Sequence, residues 1–242
     1  MSVLLIDVGN TRIKWRLRTM SAGTPEQLHY GVLEHDDVHS MQWPDASQVV
    51  VSCVSHRPEL HQQLLQRFGQ TLKWLDKTPA KLGKIKHCYA DPSRLGIDRW
   101  LGMLGARQHY STGGLVLVDA GTAMTVDVVD ECDQHLGGYI VPGLTMARQA
   151  LFQGTQRVRP YADERQILHD SNLGQNTVSC VDAGTLKQLR LLVQSMRDEY
   201  PDYQLLLTGG DAQLLSPFVS ITPCSDLIFD GLESLCAGLF TV

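Results

Sequence analysis

Leu4-Leu5-Ile6-Asp7-Val8-Gly9-Asn10-Thr11 opens the chain, and Val116-Leu117-Val118-Asp119-Ala120-Gly121-Thr122 repeats its pattern near the middle. In both, an apolar run ends in an aspartate, followed by a glycine and a threonine. The apolar run reads as a buried strand that delivers a carboxylate to a fixed point. The glycine, lacking a side chain, lets the backbone turn sharply and approach a ligand closely. The threonine hydroxyl and nearby N–H groups suit an anion, and the carboxylate suits the cation that accompanies it. Two such loops facing each other would grip a nucleotide triphosphate and its metal from both sides. Two copies in 242 residues favour two halves.

After the first loop, Ile13, Trp15 and Leu17 alternate with Lys14, Arg16 and Arg18, the period of a half-buried antiparallel strand. A polar stretch from Ser21 to Ser47 holds a further strand around Tyr30 to Glu34. Val49 to Cys53 is an apolar run suited to a parallel strand. Leu60, Leu64, Leu65 and Phe68 mark one face of a helix from Pro58 to Gly69, and Leu72 to Leu75 suggests a short strand. Lys77 to Lys86 is basic and loop-like, and the loop continues to Ile97, broken by Pro92 and Gly96. A helix is predicted over Arg99–His109, and Gly113-Gly114 marks a boundary between halves.

The second half repeats the opening, with strands over Leu115–Val118, Met124–Val129 and 136–143, then a helix from Leu144 to Phe152. Gly154 to Asn176 reads as irregular and polar. A long helix is predicted from Val178 to Tyr200, with Leu186, Leu189, Leu192 and Val193 along one stripe, either a dimer surface or core. Gln204 to Leu207 reads as a strand ending in Thr208-Gly209-Gly210-Asp211-Ala212, and Gly231 to Phe240 as a closing helix. Strands and helices alternating in this way indicate an α/β fold.

Composition narrows the function classes. A hydrophobic content of 43% supports a real core, and a net charge of -5 gives no general pull toward nucleic acid or anionic membrane. Asp7 interrupts the apolar run from Val3 to Ile6, so no signal-peptide pattern is present, and no apolar stretch reaches the ~18 residues of a membrane span. The six cysteines are scattered without a Cys-x-x-Cys pair, which suits reduced thiols in a cytoplasmic protein better than a zinc site or disulfide framework. His35 and His39 are one helical turn apart but have no third ligand in view.

No Gly-x-x-x-x-Gly-Lys-Ser/Thr, no Gly-x-Gly-x-x-Gly opening a helix and no Gly-x-Ser-x-Gly occur. The glycines gather at strand ends instead. Any one of them alone would simply make a turn. Three strand ends carrying Asp-x-Gly-Asn-Thr, Asp-x-Gly-Thr and Thr-Gly-Gly-Asp say more. These loops resemble the phosphate and adenosine elements of the acetate and sugar kinase, Hsp70 and actin superfamily. Within it, the chain is similar to type III pantothenate kinases. Asp7 to Lys14, Leu95-Gly96-Ile97-Asp98-Arg99-Trp100, Asp119 to Ala123 and Gly137 to Gly143 carry the resemblance, and Leu173 to Thr177 fits as well. Together they run through nearly the whole chain in the family's order. The Gly-x-Asp-Arg element separates this family from other members of the fold.

The resemblance implies an α/β fold with two ribonuclease H-like (actin-like ATPase) domains flanking a central nucleotide cleft. Residues 1–114 would form the half with the first phosphate loop and the pantothenate segment, and residues 115–242 the half with the second phosphate loop and the adenosine loop. It implies ATP-dependent phosphorylation of pantothenate to 4'-phosphopantothenate, the first step of coenzyme A synthesis, by a homodimer. Asp7, Val8, Gly9, Asn10, Thr11, Arg12, Ile13, Lys14 and Thr122 would bind ATP. Asp119 would hold a monovalent cation (K⁺ or NH₄⁺) or serve the Mg²⁺ shell, and Asp7 would hold Mg²⁺.

An alcohol needs a base to become a nucleophile. Asp98 fills that role by resemblance, although an aspartate before Arg99 also suits a helix cap. Arg99, with a guanidinium suited to a carboxylate, would contact pantothenate together with Tyr89, Gly96, Ile97, Asp98 and Thr177. The alternatives are another small-molecule kinase of this fold, acting on a sugar or short acid, and a non-catalytic nucleotide-binding regulator. An acidic chain without a helix-turn-helix signature gives the regulator no direct route to DNA.

Overall fold

The computed structural model describes residues 2–20, 26–79, 84–161 and 172–236. The first 111 residues contain β1 (Ser2–Val8), β2 (Arg12–Thr19), β3 (Gln27–Glu34), β4 (Gln48–Cys53), α1 (Pro58–Phe68), β5 (Leu72–Leu75) and α2 (Ile97–His109). A 3-10 turn, His35–Ser40, follows β3. Next come β6 (Leu115–Ala120), β7 (Ala123–Val129), β8 (His135–Pro142), α3 (Leu144–Gly154), α4 (Thr177–Glu199), β9 (Gln204–Thr208) and α5 (Ala212–Val219), and the chain closes with α6 (Leu227–Cys236). Parts of the expected loops at 21–47, 77–86 and 154–176, and the end of the expected closing helix, lie outside the described residues.

The chain divides into two compact units, Met1–Ser111 with Asp226–Val242, and Thr112–Ser225. Within the first, the sheet order is β3-β2-β1-β4-β5, with β1 antiparallel to β2 and parallel to β4. Successive strand residues point to opposite faces. Leu4, Ile6 and Val8 of β1, with Val49, Val51 and Cys53 of β4, pack against Leu60 and Leu64 of α1. Leu5 and Asp7 lie on the other face, where α2 and α6 sit. Arg16, the register partner of Leu5, donates from Nη1 to Asp230 (3.2 Å) and Glu233 (3.1 Å) of α6 and pairs through Nη2 with Asp226 (3.2 Å). Its side chain is only 11% exposed.

Residues 226–242 therefore group with the first unit, whereas the sequence assigned everything after residue 114 to the second half. Two glycines explain this grouping. A Cβ on Gly105 of α2 would overlap the Leu227 carbonyl, and one on Gly231 of α6 would overlap the Leu101 carbonyl. The two helix backbones are in direct contact, and only glycine permits that spacing.

The second unit repeats the topology one strand short, in the order β8-β7-β6-β9. Its β6 is antiparallel to β7 and parallel to β9. Val116, Val118 and Ala120 of β6, Met124, Val126 and Val128 of β7 and Leu207 of β9 share a core with α4 and α5. The α4 stripe joins this core through Leu186, Leu189 and Val193, so those side chains stabilise the unit and are not a free dimer surface. A buried ion pair, Arg148 Nε to Asp182 Oδ1 at 2.5 Å, ties α3 to α4. Among the described residues, no helix is long and apolar enough to cross a membrane.

Candidate active site

Asp7 ends β1 on the face that carries α2 and α6. Its register partners are Lys14 on β2 and Ser52 on β4, which places all three side chains in one row on one face. Ser52 Oγ donates to Asp7 Oδ1 at 2.8 Å. Asp7 is 7% exposed. Burial pushes its carboxyl up from 3.8 to about 6, against the Ser52 hydrogen bond and the Lys14 charge, and the Asp98 carboxylate adds to the rise. Asp7 and Asp98 therefore share one electrostatic field, although 91 residues of sequence separate them (98 against 7).

The turn after Asp7 is closed by Gly9 N–H donating to the Arg12 carbonyl at 3.1 Å. Asn10, Thr11, Arg12 and Lys14 are exposed, while Val8 and Ile13 are fully buried in the α1-side core. Of the residues expected to bind ATP here, Val8 and Ile13 can therefore offer only backbone groups. Arg12 pairs with Glu34 at 3.0 Å on the surface.

Asp98 is the second residue of α2, whose N-terminal cap is Gly96. The helix starts two residues earlier than expected, so Asp98 lies inside the first turn and does not precede the helix. Its Oδ1 accepts the Arg99 N–H at 2.8 Å, and a Cβ on Gly96 would stand 2.5 Å from that oxygen. The carboxylate thus folds back over Gly96. The Leu95 carbonyl, just before it, accepts from the buried Thr78 hydroxyl at 2.8 Å, which fastens the loop to the unit. Ile97 is buried. Arg99, 8% exposed, donates from Nη1 to the Tyr89 hydroxyl at 3.0 Å, with its guanidinium 5.9 Å from that ring's centre. Tyr89 and Arg99, singled out separately in the sequence, are in contact.

In the second unit Asp119 ends β6 as Asp7 ends β1. Its register partners are Thr125 on β7 and Thr208 on β9. Gly121 N–H donates to the Ala123 carbonyl at 3.2 Å, and the Thr122 carbonyl accepts Gly143 N–H at 3.0 Å, just before α3 begins. The Thr208-Gly209-Gly210-Asp211 loop folds over this strand end, with Asp211 N–H donating to the Ala120 carbonyl at 2.9 Å. Gly209 has φ +95°, and a Cβ there would overlap the Asp119 carboxylate. Thr177 opens α4 and lines a cavity of about 580 Å³ with Leu151, Val158, Asn176, Val181 and Gln188. Its helix is capped by Asn176, which exchanges hydrogen bonds with Ser179, and not by Thr177.

Sequence reasoning missed Ser52, Thr78 and the close helix crossing. Ser52 stood only as the end of an apolar strand, and its place beside Asp7 follows from register. Among the described residues no group of three His, Cys, Asp or Glu side chains converges as a metal cage. One or two carboxylates beside bound phosphates is the arrangement Mg²⁺ uses, because it keeps several waters, and Asp7 with Asp98 in its field fits that pattern.

Residues 3–199 match the model of one protein family, type III pantothenate kinase. The chain belongs to that family. A type III pantothenate kinase of Pseudomonas fluorescens (strain Pf0-1) is 35% identical over 253 residues, covering 97% of this chain and 98% of the relative. One of Marinobacter nauticus is 36% identical over 247 residues, covering 98% of each. Among solved structures, a Campylobacter jejuni chain described as a candidate Baf family transcriptional activator superposes with a TM-score of 0.60 at 23% identity, over 98% of each chain. A Listeria monocytogenes protein described as a candidate N-acetylmannosamine kinase superposes with a TM-score of 0.50 at 10% identity, covering 97% of this chain and 99% of its own. Both likenesses concern the fold alone, the actin-like ATPase and sugar kinase architecture that the two repeated sheets display. Type III pantothenate kinases are phosphotransferases with an alcohol acceptor.

Proposed function

We propose that this chain transfers the γ-phosphoryl group of ATP to the primary hydroxyl of pantothenate, giving 4'-phosphopantothenate for coenzyme A synthesis. Family membership supports the reaction. The observation that carries the residue roles is the shared field of Asp7 and Asp98 on the α2 side of the first sheet. Phosphoryl transfer asks the protein mainly for positioning and charge neutralisation.

Bound Mg²⁺ would supply that neutralisation at the phosphates, held by Asp7 directly or through water. The backbone of Val8 to Ile13, the Thr11 hydroxyl, Arg12 and the Lys14 ammonium orient the phosphates; by resemblance Thr122 is also an ATP-binding residue. Asp98 takes the acceptor's proton as its oxygen attacks the γ-phosphorus and the bond to ADP breaks. Arg99, already hydrogen-bonded to Tyr89, pairs with the pantothenate carboxylate beside Gly96 and Ile97; by resemblance Thr177 is also a pantothenate-binding residue. Asp119 holds a monovalent cation, K⁺ or NH₄⁺. The first loop sets a lysine across the ladder from its aspartate, whereas the second sets a neutral threonine there. By resemblance the enzyme works in the cytoplasm as a homodimer.

The test is ATP-dependent phosphorylation of pantothenate, beside a panel of sugars and short hydroxy acids, by the wild type and Asp98→Asn. The variant should keep both affinities while kcat falls about 10²- to 10⁴-fold, the usual worth of general base catalysis. Full activity in Asp98→Asn removes the base assignment, and preference for another acceptor removes pantothenate.

A further inference from the structure

The turn joining β6 to β7, Gly121-Thr122, meets backbone from both flanks of its sheet. β8 and β9 are the outer strands of that sheet, with β7 and β6 between them. From the β9 flank, the turn at Gly209 lies against the end of β6, and a Cβ there would overlap the Asp119 carboxylate and the Ala120 carbonyl. From the β8 flank comes Gly143. Its N–H donates to the Thr122 carbonyl at 3.0 Å. A Cβ on Gly143 would overlap the Gly121 carbonyl oxygen and stand 2.6 Å from that of Thr122. Gly143 has φ −68° and ψ 174°, extended backbone open to any residue, so this glycine supplies space and not conformational freedom.

We propose that Gly143 is a positioning residue for ATP, a backbone stop against which the second loop is set. The inference rests on that loop binding nucleotide, the reading given to Thr122 by resemblance. Gly143 is itself held on both sides. Before it, Pro142 is the register partner of Ala123 at the end of the β7–β8 ladder. After it, Ala147 N–H closes the first turn of α3 on the Gly143 carbonyl at 2.9 Å, and Leu144 is buried in the core of the unit. A Cβ does not approach another heavy atom within 3.0 Å, so a methyl group at residue 143 displaces the turn and not the strand. Gly209 braces Asp119 and Ala120 from the other flank, which concentrates the displacement in Gly121 and Thr122. Misplacing a ligand-holding group by about 1 Å costs about 10²-fold, and a shift of several tenths of an ångström about tenfold. Gly143 touches no reacting atom and acts only through the turn.

Three variants test it: Gly143→Ala, Leu144→Val and Gly138→Ala. Leu144→Val loosens the stop without creating a clash, and decides the matter if Gly143→Ala does not fold. Gly138 lies on the same strand, and a Cβ there would overlap the Val126 carbonyl, so Gly138→Ala reports general strain in the sheet. Calorimetry with Mg·ATP and the KM for ATP should both show affinity falling about tenfold in Gly143→Ala and about two- to threefold in Leu144→Val. Gly138→Ala should keep the wild-type ATP affinity although both glycine variants lower the thermal midpoint. KM for pantothenate should not change in any of the three. An unchanged ATP affinity in Gly143→Ala, or in Leu144→Val where the glycine variant does not fold, overturns the inference. So does an equal loss in Gly138→Ala or a parallel rise in KM for pantothenate. Thr122→Val separates the two levels. If it leaves ATP affinity untouched, the second loop is not a nucleotide segment and the inference falls with that reading. If it weakens ATP binding while Gly143→Ala does not, only the role of Gly143 falls.

Discussion

Asp7→Asn should make the metal-free protein more stable at neutral pH while disabling its site. The structure keeps this carboxyl 7% exposed, and burial outweighs both the Ser52 hydrogen bond and the Lys14 charge, leaving it at about 6 against 3.8 in the open chain. A native carboxyl that holds its proton more tightly than the unfolded one contributes fully to stability below 3.8. That contribution is lost as pH rises through about 6. At 1.36 kcal/mol per pH unit, the native state at pH 8 carries a penalty of about 3 kcal/mol. Asparagine has nearly the same shape, its Oδ1 can still accept from Ser52, and it never ionises, so the penalty disappears. At about 2–4 °C per kcal/mol for a chain of this size, the thermal midpoint should rise by about 6 °C or more. The assay is thermal unfolding of both proteins in chelator-treated buffer from pH 4 to 8. The gap should be largest at pH 8 and close toward pH 4. Adding Mg·ATP at pH 8 should narrow it, because only the wild type has a carboxylate for the cation to neutralise. Equal midpoints at pH 8, or a gap of the same size at pH 4 and pH 8, refute the electrostatic account.

Gly231→Ala forces a methyl group into the Leu101 carbonyl and should lower stability by about 1–3 kcal/mol in urea unfolding. Gly184→Ala in α4 meets nothing within 4 Å and should add about 0.5–1 kcal/mol. Asp182→Ala strands the buried Arg148 guanidinium and should cost about 3–5 kcal/mol, while Arg148→Leu with Asp182→Leu recovers much of the loss, as a double-mutant cycle would show.

The strands and most helices were legible because their apolar periods are regular. The β1 and β6 runs, the α1 face and the α4 stripe lie within a residue or two of where the pattern put them. Where the pattern failed, distant partners had intervened. Arg16 alternates with apolar neighbours and reads as a solvent-facing residue, yet it is almost buried because the acidic row Asp226, Asp230 and Glu233 arrives from the end of the chain. That same row, with the Gly105–Gly231 crossing, draws α6 to the first unit. Helix α5 went unread because Pro217 interrupts its eight residues and the eye stops at the glycines before it. At the site, aspartates and glycines announce themselves through a spaced motif. Ser52 does not, since a strand register places it, and no spacing along the chain encodes it.

The two Asp-x-Gly loops show why a repeated motif does not imply a repeated environment. Both units place an aspartate at the end of the first strand and a hydroxyl beside it on the parallel neighbour, Ser52 in one and Thr208 in the other. That frame is common property of the duplicated topology. The antiparallel neighbour differs: Lys14 faces Asp7, whereas Thr125 faces Asp119. A fixed ammonium beside a buried carboxylate creates a spot that is close to neutral until a metal-bound phosphate arrives, and the half-buried Asp98 lies within its field. At the second strand end hydroxyls stand where the first has the ammonium, and Gly209 crowds the carboxylate from above. One difference across a ladder, lysine against threonine, and a turn one residue shorter thus give the same aspartate different surroundings in the two units.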